Sequence, residues 1–253
     1  MLTNASVFLV LVLVGPALLA LAAGAVGRRR PRLLGQAGAL VAGLGFLGTF
    51  ALMVEAGRDQ AVSASVGGLA FTADRLATFL LLLVFGVSTV VQAFAVRYLA
   101  GDPRAAWFTA GASLLTTGSA GLVTAATMVG LAAGWTVTGA ALCLLLGMYW
   151  HLPAARDGVR RTATAFVVGD LALWAAVAMA TATWGSIDLR TLDDKPLDGA
   201  VVPVIACLVV VAALSRSAQF PFPRWLPATL AAPTPVSALL HAGVVNAGGI
   251  LLI

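Results

Sequence analysis

The chain has 253 residues, 60% of them hydrophobic and 10% charged, with a mean hydropathy of +1.00. Soluble domains run at roughly 45–50% apolar and 25% charged, so this composition excludes a soluble globular domain and reads as a protein embedded in a lipid bilayer. Fifteen basic residues against ten acidic ones give a net charge of +5; the basic residues sit between apolar runs, as the positive-inside rule expects, and nucleic acid is excluded as a partner.

Charge-free runs locate the membrane spans in chain order. Residues 1–27 supply the first. No basic segment precedes it, and Arg28, Arg29, Arg30 and Arg32 follow it, so it reads as a retained helix rather than a signal peptide. Residues 33–54 and 76–96 supply the second and third, each about 20 residues, with Asp74 and Arg75 at the outer mouth of the third. Residues 105–155 contain no Asp, Glu, Lys or Arg and fit two spans, split near Ala125 to Gly130. Residues 162–187 make a sixth, interrupted by Asp170; residues 199–231 and 235–253 make a seventh and an eighth. Arg97, Arg104, Arg156, Arg160 and Arg161 then fall on the cytoplasmic side. Arg58 with Asp59, and the run Asp188, Arg190, Asp193, Asp194, Lys195 and Asp198, fall opposite. The predicted architecture is an all-α polytopic transmembrane bundle of about eight helices, with both termini on the non-cytoplasmic side of the cell membrane.

The seventh segment cannot be a regular helix. Gly199 to Ala231 would extend about 50 Å if wholly helical, against a hydrocarbon core of about 30 Å. Pro221 and Pro223 each remove a donor and clash with the preceding turn. The expected arrangement is a helix to about Ala218, an unwound piece at Gln219–Pro223, and a short second half ending near Leu230. Pro233 and Pro235 make the turn into the last helix. Broken backbone in lipid is tolerated only where protein or a water-filled cavity surrounds it.

Three ionisable groups accompany this break. Asp170 lies about 12 Å into the sixth helix, Arg216 toward the cytoplasmic end of the seventh, and His241 about 9 Å past Pro235. They occupy about one layer on three consecutive helices, so a shared hydrated cavity is expected. Intramembrane ionisable residues mark ion paths or pair with one another, and both readings stand for Asp170: a register-fixing partner for Arg216, or a proton carrier. Arg216 keeps its charge, and so tunes a neighbour rather than carrying a proton. His241 is the better relay on its intrinsic chemistry; the alternative is a histidine donating to a carbonyl freed by the break. Trp135, Trp150, Trp174, Trp184 and Trp225 read as interfacial or packing residues. Cys143 and Cys207 lie in apolar runs with no metal-type spacing and read as small buried hydrophobes. No C-x-x-C, Walker A or strand-linked GxGxxG is present, so no metal, cofactor or catalytic site is expected.

The segment SAQFPFPRWLPATLAAPTPVSALLHAGVVNAGG, Ser217 to Gly249, closely resembles the signature of the proton-conducting, antiporter-like subunits of respiratory complex I and of Mrp-type cation/proton antiporters. Asp74 to Pro103 resembles that family's third helix and following loop. GWTVTGAALCLLLGMYW from Gly134 resembles its fifth, and VVGDLAL around Gly169 and Asp170 its sixth. Within the family, HAGVVNAGG from His241 is most similar to the DabB branch. DabB is the membrane subunit that pairs with soluble, zinc-containing DabA in an energy-coupled inorganic-carbon accumulation complex.

What the resemblance implies is a division into residues 1–103, the N-terminal helices 1–3, and residues 104–253, the first antiporter-like repeat (helices 4–8), with the second repeat absent. It also implies a proton path through Asp170, His241, Arg216 and Thr136, with the helix break at Gln219, Pro221 and Pro223 admitting water. The partners implied are a DabA-like zinc protein or other subunits of a membrane complex. Three positions depart from the family pattern. The glutamate that complex I members place after the fifth-helix tryptophan is Thr136, the seventh-helix lysine is Arg216, and a histidine after FPF is Pro223. These departures favour the DabB branch over a true respiratory subunit, or else mark a degenerate copy. A non-conducting or truncated structural subunit is the further alternative.

Overall fold

The computed structural model describes residues 4–27, 29–56, 61–189 and 199–252. Helices α1 (Asn4–Val26) and α2 (Pro31–Ala56) lead to a hairpin of β1 (Val62–Val66) and β2 (Leu69–Ala73). There follow α3 (Arg75–Tyr98), α4 (Ala105–Thr124), α5 (Met128–Leu146), α6 (Pro153–Trp184) and α7 (Val201–Arg216). After short 3-10 turns at Pro223–Trp225 and Pro227–Ala231, the last span, Thr234–Leu251, is built from α8 (Thr234–Leu239), a π-helical stretch (Leu240–Val244) and α9 (Ala247–Leu251). Helices dominate because lipid offers no partner to backbone N–H and C=O groups.

Among the described residues, six helices are long and apolar enough to cross a membrane. The other two expected passes are α4, rich in Ser, Thr and Gly, and α7, with 16 residues. Both exceptions have a physical reason. Helix α4 sits at the centre of the bundle against α1, α2, α3 and α5. With 13 of its 20 residues buried, it meets protein rather than lipid. Its buried threonines donate to their own helix, Thr116 to the Ala112 carbonyl at 2.8 Å and Thr124 to that of Ala120 at 2.7 Å, so their burial costs no unmet hydrogen bond; Ser113 Oγ is the buried α4 hydroxyl left without a partner among the described residues. Glycines bring α5 close: a Cβ on Gly134 would lie 2.6 Å from the Leu122 amide nitrogen, and one on Gly118 2.8 Å from that of Thr138. This is packing by small residues, the usual means of helix association in lipid.

Local signals set the boundaries. Asp74 caps α3 by accepting from the Ala77 amide at 2.8 Å, and Thr127 caps α5 by accepting from Gly130 at 3.1 Å. That gives Asp74 a structural task at the helix mouth. Pro153 opens α6 nine residues ahead of the expected start at residue 162, because the Arg156–Arg161 stretch is helical outside the apolar run. The hairpin is an addition to the all-α expectation. Its β2 strand bridges to the α4–α5 turn, with the Ala126 amide donating to the Ala70 carbonyl at 3.0 Å. The Leu189 amide donates to the Ala126 carbonyl from the other side at 2.9 Å, so hairpin and post-α6 segment together cover one end of the bundle. Cys143 is half-buried and Cys207 exposed, so the expectation of two buried thiols fails for α7, whose outer face is unpartnered. Arg28, Arg58, Asp59, Arg190, Asp193, Asp194, Lys195 and Asp198 lie outside the described residues.

Candidate functional site

Helix α7 has 16 residues, about 24 Å at the α-helical rise, and stops at Arg216 short of the full membrane thickness. Beyond it the chain turns sharply: Ala218 takes a positive φ of 52°, the Gln219 amide donates to the Leu214 carbonyl at 3.0 Å, and the Phe222 amide to that of Gln219 at 2.6 Å. Pro221 and Pro223 have no N–H to continue a helix. The break therefore begins two residues before the expected Ala218, and the second half is 3-10 turns rather than a helix. Two side chains hold it in place. Trp225 Nε1 donates to the Ser215 carbonyl at 2.9 Å, and Ser217 Oγ to the Val245 carbonyl at 3.0 Å.

The end of α7 delivers Arg216 into the protein interior, where it is 0% exposed. Its Nη2 donates to Asp170 Oδ1 on α6 at 3.0 Å and to the Trp135 carbonyl on α5 at 3.2 Å. Cζ stands 4.3 Å from the Trp135 ring centroid and 4.2 Å from that of Phe166, two cation–π contacts. Gly139 makes the space: a Cβ there would lie 2.9 Å from Nη2 and 3.0 Å from Nη1. Gly169 does the same for the neighbouring helix, since a Cβ on it would collide with Ser215 Oγ. The VVGD sequence thus reads as a close crossing of α6 on α7 that carries Asp170 to Arg216.

The pair is asymmetric. The Asp170 side chain keeps 19% of its surface accessible, so the carboxylate is the partner that reaches toward the outside. Arg216 Nε and Nη1 and Trp135 Nε1 make no hydrogen bond within the protein. Three buried donors without acceptors define a polar site of the kind that ordered water fills.

The other sequence-predicted residues stand apart. Thr136 accepts at 3.0 Å from Nε1 of Trp174, which lies on α6 one turn beyond Asp170. His241 lies in the π-helical stretch with its side chain exposed and makes no hydrogen bond or ion pair with Asp170 or Arg216; its carbonyl accepts from Asn246 Nδ2 at 3.3 Å. Gln219 is exposed at the break and donates to the Ser217 carbonyl at 3.3 Å. Among the described residues no three His, Cys, Asp or Glu side chains converge on a metal-sized site.

Sequence reasoning missed the aromatic cage of Trp135 and Phe166, and the glycine at 139. It also missed a polar seam between α3 and α4. Gln92 Nε2 donates to Ser88 Oγ at 2.9 Å, and Ser88 and Thr116 share a hydroxyl–hydroxyl bond of 2.7 Å. Gln92 lines a cavity of 130 Å³ with Arg32 and Asp102, while Ser88 and Thr116 line another of 220 Å³ with Ser119 and Asn246. The signal was present as a lone Gln in a charge-free run, but nothing in the periodicity assigns it a partner.

Residues 125–253, which carry the cage, the pair and the break, match the family model described as NADH:quinone oxidoreductase/Mrp antiporter, TM. The chain belongs to that antiporter-like family. Residues 64–109 match a second model, the N-terminus of NADH-ubiquinone oxidoreductase (complex I) chain 5. A probable inorganic carbon transporter subunit DabB2 of Halothiobacillus neapolitanus is 34% identical over 251 residues, 94% of this chain and 40% of that protein. NADH-quinone oxidoreductase subunit L of Mycobacterium tuberculosis is 31% identical over 234 residues, 87% of this chain and 37% of that one. A chain of the Mrp complex from Dietzia sp. DQ12-45-1b superposes with a TM-score of 0.82 and 29% identity, covering 99% of this chain and 28% of its own length. The chain therefore spans about two fifths or less of the length of these three proteins.

Proposed function

We propose that the chain conducts protons across the cell membrane as the first antiporter-like repeat of a larger assembly, and that the assembly couples this flow to inorganic carbon uptake with a soluble, zinc-containing, DabA-like partner. The observation that carries the conducting role is the Asp170–Arg216 pair beside the interrupted α7. A caged guanidinium supplies a fixed positive charge. The partly accessible carboxylate at 3.0 Å is the group that can gain and lose a proton. Protonation of Asp170 removes the counter-charge and leaves Arg216 with one carbonyl and two aromatic faces, which changes the local field at the break. Water at the orphaned Arg216 and Trp135 donors brings protons to the carboxylate. The Gln219–Pro223 break admits that water, His241 passes protons along the last span, and Thr136 offers a hydroxyl where complex I relatives carry a glutamate. Both termini face the non-cytoplasmic side, with Arg97, Arg104, Arg156, Arg160 and Arg161 inside.

The DabB reading rests on HAGVVNAGG, on Thr136, and on the 94% coverage by the H. neapolitanus relative. The second reading, a subunit of an NADH–quinone oxidoreductase or Mrp antiporter, is favoured by the 0.82 superposition. Isolation from native membranes in mild detergent separates the two. The DabB reading expects a large soluble protein carrying zinc in near-equal amount with the chain, and loss of carbon uptake on deletion. Co-isolation of quinone-reductase or antiporter subunits, with no zinc protein and unaltered carbon uptake, contradicts it.

A further inference from the structure

Away from the Asp170–Arg216 pair, a second charged site lies where α6 enters the membrane. Helix α6 has 32 residues, about 48 Å against a hydrocarbon thickness of about 30 Å. Its first turns, with Arg156, Asp157, Arg160 and Arg161, therefore stand at headgroup level. There α6 and the segment after the α7 break enclose an open cavity of 380 Å³, whose charged lining is Arg160, Arg161, Arg224 and Asp157. Arg161 Nε already binds Asp157 Oδ2 at 2.7 Å, so the carboxylate is neutralised. Arg160 and Arg224 have no carboxylate partner among the described residues and leave two guanidiniums facing the cavity.

Below the charges the lining turns apolar. Val168, Phe222 and Trp225 form the inner wall. Val167 (54% exposed) and Leu171 (66%) continue the α6 face into the membrane, about two and three turns below Arg160. Residues 160, 164, 167 and 171 lie on one helical stripe. Positive charge at headgroup depth above an unpartnered apolar stripe matches one kind of ligand along its whole length: a phosphate with acyl chains attached.

We propose that this cavity binds the headgroup of an anionic phospholipid, with Arg160 and Arg224 on the phosphate and the acyl chain along Val167 and Leu171. Basic pockets at the ends of membrane helices recognise such headgroups. The lipid would brace the interrupted segment, because Trp225 in its wall also holds the end of α7 and stacks edge-on against Phe166 of the Arg216 cage at 4.9 Å between centroids. The binding site does not depend on what the pair conducts.

The test is native mass spectrometry of the delipidated protein titrated with phosphatidylglycerol or phosphatidylcholine, read as the ratio of the two affinities, so that a general loss of fold, which lowers both, does not imitate the effect. Each basic residue near the surface is worth about fivefold and two about thirtyfold. The R160Q/R224Q variant is therefore expected to lower that ratio about thirtyfold. R156Q, at the same helix end but outside the cavity lining, is expected to leave it near the native value. Three results overturn the proposal: equal affinity of the native protein for both lipids; an R156Q loss as large as that of the pair; or displacement of phosphatidylglycerol by millimolar inorganic phosphate, which would make this a free-anion site.

Discussion

Asp170→Asn isolates the energetic role of the buried pair. The substitution keeps the side-chain volume and removes the charge. Arg216, fully buried, then loses its counter-charge and keeps only neutral partners: the Trp135 carbonyl, the amide oxygen of the new side chain and its two aromatic contacts. Removing one partner of a buried pair costs about 3–5 kcal/mol. The 19% accessibility of Asp170 and the aromatic faces, each contributing on the order of 0.5–2 kcal/mol, place the expected loss near the lower end, at about 3 kcal/mol. Arg216→Met costs less, because the accessible carboxylate it leaves behind can take up a proton or water. The double variant, with no buried charge, should recover most of the loss. Unfolding by SDS in mixed micelles, followed by tryptophan fluorescence, measures all three. A coupling of about 2 kcal/mol between the sites is the expected result. Losses that simply add would refute the reasoning, since they would mean the two charges do not interact through the 3.0 Å contact.

Other substitutions probe the surroundings. Gly139→Ala pushes a methyl against a guanidinium caged on both faces, and should cost about 1–3 kcal/mol by overpacking in the same unfolding assay. Gly134→Ala meets the Leu122 backbone on α4, which cannot yield as a side-chain tip can; a similar loss is expected, with lowered yield of folded protein in size-exclusion chromatography. Ser88→Ala leaves Gln92 Nε2 without its partner in the α3–α4 seam. It should cost about 1–3 kcal/mol, while Gln92→Leu with Ser88→Ala should restore much of that stability.

Much of this architecture was legible because lipid imposes length and polarity on every pass. The charge-free runs located all eight helical segments, and the split at Ala125 to Gly130 falls where α4 ends at Thr124 and α5 begins at Met128. Pro221 and Pro223 announced the interruption of α7. Asp170 and Arg216 were placed at a common depth by counting residues, and the structure brings them to 3.0 Å. The same counting put His241 in that layer. Depth along a helix does not fix the angle around it, and the side chain emerges on an exposed face. The hairpin was hidden because Val62–Ala73 is short and anchored by long-range bridges from Phe71 to Ala125 and from Ala70 to Ala126 rather than by its own pattern. The cage was hidden for a related reason. Gly139, Trp135 and Phe166 are unremarkable in apolar helices until the α5–α6–α7 crossing sets them around one guanidinium.

The most direct measurement is proton flux in vesicles holding the protein with its native membrane partners, followed by a pH-sensitive dye for the native protein, Asp170→Asn, Asp170→Glu and His241→Ala. The account predicts that Asp170→Asn abolishes flux at normal expression, that Asp170→Glu restores a substantial part of it, and that His241→Ala slows it. Native flux in Asp170→Asn would contradict the claim that protons pass through the carboxylate paired with Arg216.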